Sequence, residues 1–245
     1  EVAPALVLDD GRLELTLEAD LTDPLLVLRC AVVAARHDAY LQRGSLERLA
    51  DHSRPLSIPW PAEARDLFVD LLAAGPAAIP VIEDLDQVGL FVLLVPEWEP
   101  CRSRPQRNAY HRCTVDRHLM EAAAEASRLV GQVERPDLLL VGALFHDIGK
   151  GYPGDHTVVG VDLLTTIAAR MGYDVDDVDL LVAMVEHHLL LPDVATSRDL
   201  DDDGTIRSVA DALGSIRLLE LLGALTEADS IATGPSAWSS WKGDL

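Results

Sequence analysis

The chain has 245 residues, of which 49% are hydrophobic and 25% are charged, so it is long enough to form one large or two smaller globular domains. Its formal net charge of −21 repels nucleic-acid backbones, which excludes nucleic acid as an expected partner. The apolar runs are far shorter than the roughly 20 residues that cross a bilayer, and the N-terminus lacks a signal-peptide pattern. We therefore expect no membrane association and place the chain in the cytoplasm. Its three cysteines have no close paired spacing, which argues against a disulfide framework and a cysteine-type zinc site.

The first residues predict a short hairpin followed by helices. Residues 6–17, LVLDDGRLELTL, alternate apolar and polar side chains around an Asp-Gly pair, which is typical of a β-hairpin. Segments 23–41 and 61–75 then repeat apolar residues at spacings of three and four. This period predicts two helices.

A Pro-rich segment, 95–106 (VPEWEPCRSRPQ), interrupts the helical pattern. It is the best candidate for a domain boundary, which we place near residue 104. The chain is therefore divided into a mostly helical region with a short β-hairpin, 1–104, and a second domain, 105–245.

Almost all of the second domain is predicted to be helical, so the fold class is all-α. Segment 137–145 is apolar on nearly every side, which suits a central helix surrounded by others. Turns are marked by glycine and proline, for example at Gly131, Gly172 and Pro192. The predicted helices are 114–130, 136–149, 156–171, 175–190, 205–213 and 216–232.

Residue types that bind metal ions gather in this helical half. Neutral imidazole and carboxylate together suit borderline divalent ions such as manganese, iron and zinc. Adjacent residues on a helix point about 100° apart, so His146 and Asp147 can face one site only where a helix ends or two ions share the space. Any one histidine could instead be a core or surface residue, and the pattern leaves open which of His187 and His188 points inward. The candidate ligands are His118, His146, Asp147, His156, His187, His188 and Asp229.

The order of these residues resembles a known signature. His118, the His146–Asp147 pair and Asp229 are similar to the H…HD…D signature of the HD superfamily of metal-dependent phosphohydrolases. Four longer blocks resemble, more specifically, the hydrolase domain of the bifunctional uridylyltransferase/uridylyl-removing enzymes that modify the PII nitrogen-signalling protein. These blocks are YHRCTVDRHLM, ALFHDIGKGYPGDHTVVG, VEHHLLLPDVATSRDLDD and LTEADSIATGPSAWSSWKGDL.

The resemblance is strong from about residue 95 to residue 245 and looser over residues 1–94. It implies an HD-domain helical bundle, preceded by the helical region that joins the transferase and hydrolase domains in that family. The motif of the nucleotidyltransferase domain and the glutamine-sensing ACT domains are absent from this sequence. The chain would therefore correspond to the removing half only, with those domains as its missing partners.

The resemblance also implies a cofactor of one or two divalent ions: manganese, iron or zinc, with magnesium as a further candidate. Asp147 would bridge the two ions. The first would be held by His118, His146, Asp147 and Asp229, and the second by Asp147, His156 and either His187 or His188.

Four further residues are candidates for roles at this site. Lys150 would reach the phosphoryl group as a point charge. Asp155 would either deliver a proton or cap a turn, two readings that stay open. His111 would contact substrate or cap the following helix, and Arg112 is a second candidate substrate contact.

The implied reaction is hydrolysis of a nucleotidyl-tyrosine phosphodiester on PII protein, which releases UMP or AMP. The sequence does not distinguish uridylyl from adenylyl. One alternative is an HD-type phosphohydrolase of free nucleotides, and another is a regulatory module that binds metal or nucleotide without turnover.

Overall fold

The computed structural model describes residues 2–106, 113–199 and 201–234, and these residues confirm the all-α fold class. The α-helices follow one another with short connections, and a small sheet lies near the N-terminus. The helices are α1 (Leu26–Arg36), α2 (Arg43–His52), α3 (Ala62–Ala73), α4 (Ala78–Gln87), α5 (Leu90–Leu94), α6 (Val115–Ala126), α7 (Pro136–Phe145), α8 (His156–Arg170), α9 (Val175–Glu186), α10 (Leu190–Ser197), α11 (Asp203–Leu213) and α12 (Ile216–Thr233).

The predicted hairpin is present. Strand β1 (Leu6–Asp9) pairs antiparallel with β2 (Arg12–Leu15), and Asp10 and Gly11 between them both have positive φ, as a tight hairpin loop requires. A third strand, β3 (Tyr40–Leu41), pairs parallel with β2. This strand was not predicted, because two residues are too few to show an alternating pattern.

One predicted turn was wrong. The sequence predicted a helix over 175–190 followed by a turn at Pro192, but α9 ends at Glu186 and a separate helix, α10, begins at Leu190. Pro192 lies in the first turn of α10, where a backbone N–H has no partner inside the helix and proline is tolerated.

Helix α7 is the centre of the bundle, as predicted from its uniform apolarity. All residues from Leu138 to Phe145 are buried, and α7 packs against α3, α6, α9 and α12. The ring of Phe145 stacks on that of Phe68 in α3, with centroids 6.4 Å apart. Helices from both halves of the chain therefore fix the position of α7.

The apolar core crosses the predicted boundary at residue 104. Within the described residues, one contiguous cluster of buried apolar side chains extends from Leu6 to Ala228. The division into two domains stays a prediction. No helix in the described part of the chain combines the length and apolar composition that a membrane span requires.

Candidate metal centre

The His146–Asp147 pair lies where α7 ends. His146 still has helical backbone angles, whereas Asp147 leaves the helix with φ −116° and ψ 17°. A 3-10 turn over Ile148–Gly151 follows and passes close to the start of α8. A Cβ at Gly149 would lie 2.0 Å from the carbonyl oxygen of His156, so only glycine permits this approach. The helix end allows both side chains of the pair to face one site.

Three side chains from separate helices form the first ligand group, which consists of His118, His146 and Asp229. Their ligand atoms all lie within 4.8 Å of one another. Asp229 Oδ1 is 3.0 Å from His118 Nε2 and 3.5 Å from His146 Nε2. The helices α6, α7 and α12 thus bring together residues far apart in sequence.

The second ligand group consists of Asp147, His156 and His188. Asp147 Oδ1 lies 3.6 Å from His156 Nε2 and 3.5 Å from His188 Nε2. The other carboxylate oxygen, Oδ2, lies 3.3 Å from Nε2 of His146, which belongs to the first group. Asp147 therefore has one oxygen facing each group.

Backbone carbonyls orient two of the imidazole rings. His146 Nδ1 is 2.9 Å from the oxygen of Ala143, and His188 Nδ1 is 2.6 Å from the oxygen of Val185. A carbonyl oxygen only accepts hydrogen bonds, so each Nδ1 donates and each Nε2 is directed towards the cluster. This is the arrangement by which proteins orient histidine ligands of metals.

The donor set fits a divalent cation. His146 Nε2 and Asp147 Oδ1 are buried and make no hydrogen bond with any described residue. A buried polar atom without a partner is costly, and coordination to a cation would satisfy both atoms. Imidazole nitrogen together with carboxylate oxygen is a donor set for manganese, iron or zinc.

The charges of the cluster also favour a cation. Burial by itself lowers the pKa of His146, but the carboxylates of Asp147 and Asp229 outweigh it and raise this pKa to about 10, so without a metal they favour a proton on this imidazole that a bound cation would displace. Burial would raise the pKa of Asp147, yet the neighbouring His146 and Lys150 hold it well below the usual value. For His188 the effect of burial dominates and lowers the pKa, so its imidazole stays neutral. Burial would likewise raise the pKa of Asp229, but His146 and His118 hold it below its usual value, so both carboxylates stay ionised and attract positive charge.

The structure does not bring His187 into either group. His187 is the C-cap residue of α9 and is half-buried, whereas its neighbour His188 is buried with 3% of its surface exposed. Since α9 ends at Glu186, the next two residues point in different directions. Of the two histidines that the sequence left undecided, only His188 faces Asp147.

Two other candidates lie close to the cluster. The ammonium group of Lys150 pairs with Asp147 Oδ2. Asp155 is the N-cap of α8, where its exposed carboxylate accepts hydrogen bonds from the amides of Thr157 and Val158. The bond from Val158 and then that from Thr157 lower the pKa of Asp155. His111 and Arg112 lie outside the described residues.

Two residues near the site were missed in the sequence. The thiol of Cys101 donates to the carbonyl oxygen of Ile148, and Arg104 donates to that of Gly151, each across 47 positions in the chain. Both lie in the Pro-rich segment that was interpreted as a boundary. No periodicity or spacing in that segment indicates a contact so distant in sequence.

An apolar groove of about 780 Å³ lies between α10, α11 and α12. Its lining includes Thr226 and Ser230, which flank Asp229 on α12. Ser230 and Asp229 point about 100° apart around this helix. Helix α12 therefore has one face in the ligand cluster and another in the groove.

Comparison with known proteins agrees with the resemblance seen in the sequence. Residues 111–216 match the family model of the HD domain. A Streptomyces coelicolor protein named bifunctional uridylyltransferase/uridylyl-removing enzyme is 54% identical over 223 residues, which cover 91% of this chain and 27% of that protein. Proteins of the same name from Mycobacterium tuberculosis and Corynebacterium glutamicum are 50% and 35% identical, over 91% and 94% of this chain. The chain spans 28% and 33% of their lengths.

Proposed function

We propose that the chain, in which residues 111–216 match the model of the HD domain, is a metal-dependent phosphodiesterase that removes a nucleotidyl group from a modified tyrosine of PII signalling protein. The observation that carries this proposal is the pair of ligand groups on either side of Asp147. The name of the relatives, which includes a uridylyl-removing activity, favours a uridylyl group and release of UMP.

We assign the first ion to His118, His146, Asp147 and Asp229, and the second to Asp147, His156 and His188. A divalent ion bound here supplies Lewis-acid polarisation of water and of the phosphoryl oxygens. Manganese, iron and zinc suit these ligands better than magnesium, which prefers an all-oxygen shell.

The chain's own residues orient the reacting groups. The fixed rings of His146 and His188 direct both Nε2 atoms towards Asp147, so the cluster is organised before substrate arrives. Lys150 is close enough to Asp147 to place its ammonium beside a phosphoryl group bound there. Its positive charge offsets the repulsion between an anionic substrate and a chain of net charge −21.

The leaving group needs little help from an acid. Tyrosine has a pKa of about 10, so tyrosinate departs readily from phosphorus. The lowered pKa of Asp155 keeps its carboxylate ionised, and a carboxylate already bonded to two backbone amides is poorly suited to deliver a proton. We therefore assign Asp155 to capping α8.

We also propose that the chain corresponds to the removing half of a longer bifunctional protein. Residues 105–245 would be the hydrolase domain, and residues 1–104 would support it through the core that surrounds α7. The transferase activity in the relatives' name would belong to parts of those proteins that this chain does not span.

The test is release of nucleotide from nucleotidylated PII protein. The purified chain should release UMP or AMP, a chelator should stop the release, and manganese, iron or zinc should restore it. Chromatography of the product identifies the nucleotide. Hydrolysis of free nucleotides without release from PII would favour the free-nucleotide phosphohydrolase, and bound ions without any turnover would favour the regulatory module.

A further inference from the structure

The turn that carries Lys150 is held from outside by a distant part of the chain. Cys101 Sγ donates to the oxygen of Ile148 across 3.4 Å, and Arg104 Nη1 donates to the oxygen of Gly151 across 2.6 Å. These two carbonyls are the first and last of the Ile148–Gly151 turn. We call Cys101 and Arg104 the clamp.

The clamp is itself firmly anchored. Cys101 is fully buried at the end of a 3-10 helix whose Trp98 packs edge-on against Phe91, with centroids 5.0 Å apart. On the other side, the oxygen of Arg104 accepts a hydrogen bond of 2.9 Å from the amide of Val115, the first residue of α6. The clamp is thus tied both to the core of the first half and to the helix that carries His118.

The turn has little stiffness of its own. Two of its four residues, Gly149 and Gly151, have no side chain to restrict their backbone angles. Lys150 sits between them, and its ammonium is attached through a flexible four-carbon stem. The position of the Lys150 ammonium therefore depends on the contacts that fix the backbone of the turn.

We propose that Arg104, with Cys101, is a positioning residue that fixes the Ile148–Gly151 turn and thereby holds the Lys150 ammonium beside Asp147. The effect on turnover rests on the proposed function, whereas the effect on Lys150 does not. Among the described residues, the Arg104 side chain makes its hydrogen bond with the turn and none with a residue of the two ligand groups, so the proposed effect on Lys150 passes through the turn. Its side chain is exposed, so its truncation should leave the fold intact.

The first experiment observes Lys150 directly and needs no activity. The chain has only two lysines, Lys150 and Lys242, so labelling with 13C-lysine gives two sets of side-chain resonances, and Lys242→Arg assigns them. Arg104→Ala should move the Lys150 resonances towards those of a solvent-exposed lysine. Arg104→Lys, which keeps a donor, should restore them in part.

Arg102→Ala is the matched control. Arg102 lies two positions away, and its guanidinium bonds with Asp86 and Glu99 rather than with the turn. This variant should leave the Lys150 resonances unchanged. Unchanged Lys150 resonances in Arg104→Ala, or an equal change in Arg102→Ala, would overturn the proposal.

The second experiment measures turnover in a double-mutant cycle. Arg104→Ala should lower kcat by roughly tenfold with unchanged ion content, since small misplacements of a reacting group are costly. In a Lys150→Ala background the same substitution should have no further effect, because Arg104 acts through Lys150. If the two substitutions lowered kcat by independent factors that multiply in the double variant, Arg104 would not act through Lys150. Absence of turnover in the unmodified chain would instead count against the proposed function. The Lys150 resonances would still test whether Arg104 positions the Lys150 ammonium.

Discussion

Each ligand group has two buried side chains and one half-buried side chain, and the two half-buried residues differ in exposure and in the element that carries them. In the first group His118 and His146 are buried, the side chain of Asp229 is 21% exposed, and the helices that carry them pack around the core. In the second group the side chain of His156 is 31% exposed, and this residue begins α8 beside the glycine-containing turn. Asp147 is buried between the two groups.

We infer that ions in the two groups would have different roles. The first group is pre-organised by helix packing, so an ion there would be held mainly by the fold. The second group, here called the outer group, has the more exposed edge at His156, so we expect a substrate to approach an ion there. Asp147 joins the two, because each of its oxygens faces one group.

Replacing Asp147 should have the largest effect, since it removes a ligand from both groups. Asp147→Ala should lose both ions and lower nucleotide release by roughly 10³-fold or more, while far-ultraviolet circular dichroism keeps its helical shape. Elemental analysis and a release assay measure this. Asp174→Ala, which removes an exposed cap of α9, is the control and should retain both ions. Full activity of Asp147→Ala would contradict its bridging role.

Replacing one ligand of the outer group should affect binding of the second ion and not of the first. His188→Ala should leave the first ion bound and lower the affinity for the second ion. The loss should exceed the roughly 10–100-fold that loss of an outer-shell partner causes, because His188 is itself a ligand. His187→Ala changes the adjacent histidine, which faces neither group, and should leave both ions in place. Isothermal titration with manganese compares the variants. If His187→Ala lost an ion and His188→Ala did not, the inward residue would be misassigned.

The smallest expected effect concerns Asp155 at the edge of the outer group. Asp155→Ala should lower the melting temperature slightly, since it removes the N-cap of α8, and Asp155→Asn should restore it because asparagine caps equally well. Thermal unfolding and turnover are measured on both variants. A capping role predicts near-normal turnover in Asp155→Asn. Loss of turnover in this variant at normal stability would show that the carboxylate delivers a proton.

Much of this site could be predicted from sequence. Adjacent His146 and Asp147 with Gly149 and Gly151 after them indicated a helix end, and that is where the pair lies. The sequence could not show which of His187 and His188 points towards the ligand cluster. One residue rotates a side chain by about 100°, whereas helix ends are predicted only to within several residues.

Features that depend on tertiary contacts were also beyond reach. The two-residue strand β3 forms because it pairs with β2. Helix α10 contains Pro192, which the local sequence alone predicts to lie in a turn. Arg104 and Cys101 lie in a segment whose composition indicates only a break in the helices. Their contact with the Ile148–Gly151 turn follows from how the two halves pack.

The most direct test of the bridging role of Asp147 is anomalous diffraction from crystals of the chain grown with manganese. Two peaks should lie on either side of the Asp147 carboxylate, roughly 3.5–4 Å apart as in two-metal phosphohydrolase sites. His118, His146 and Asp229 should surround one peak, and His156 and His188 the other. A single peak away from Asp147, or no peak in the cluster, would contradict the assignment.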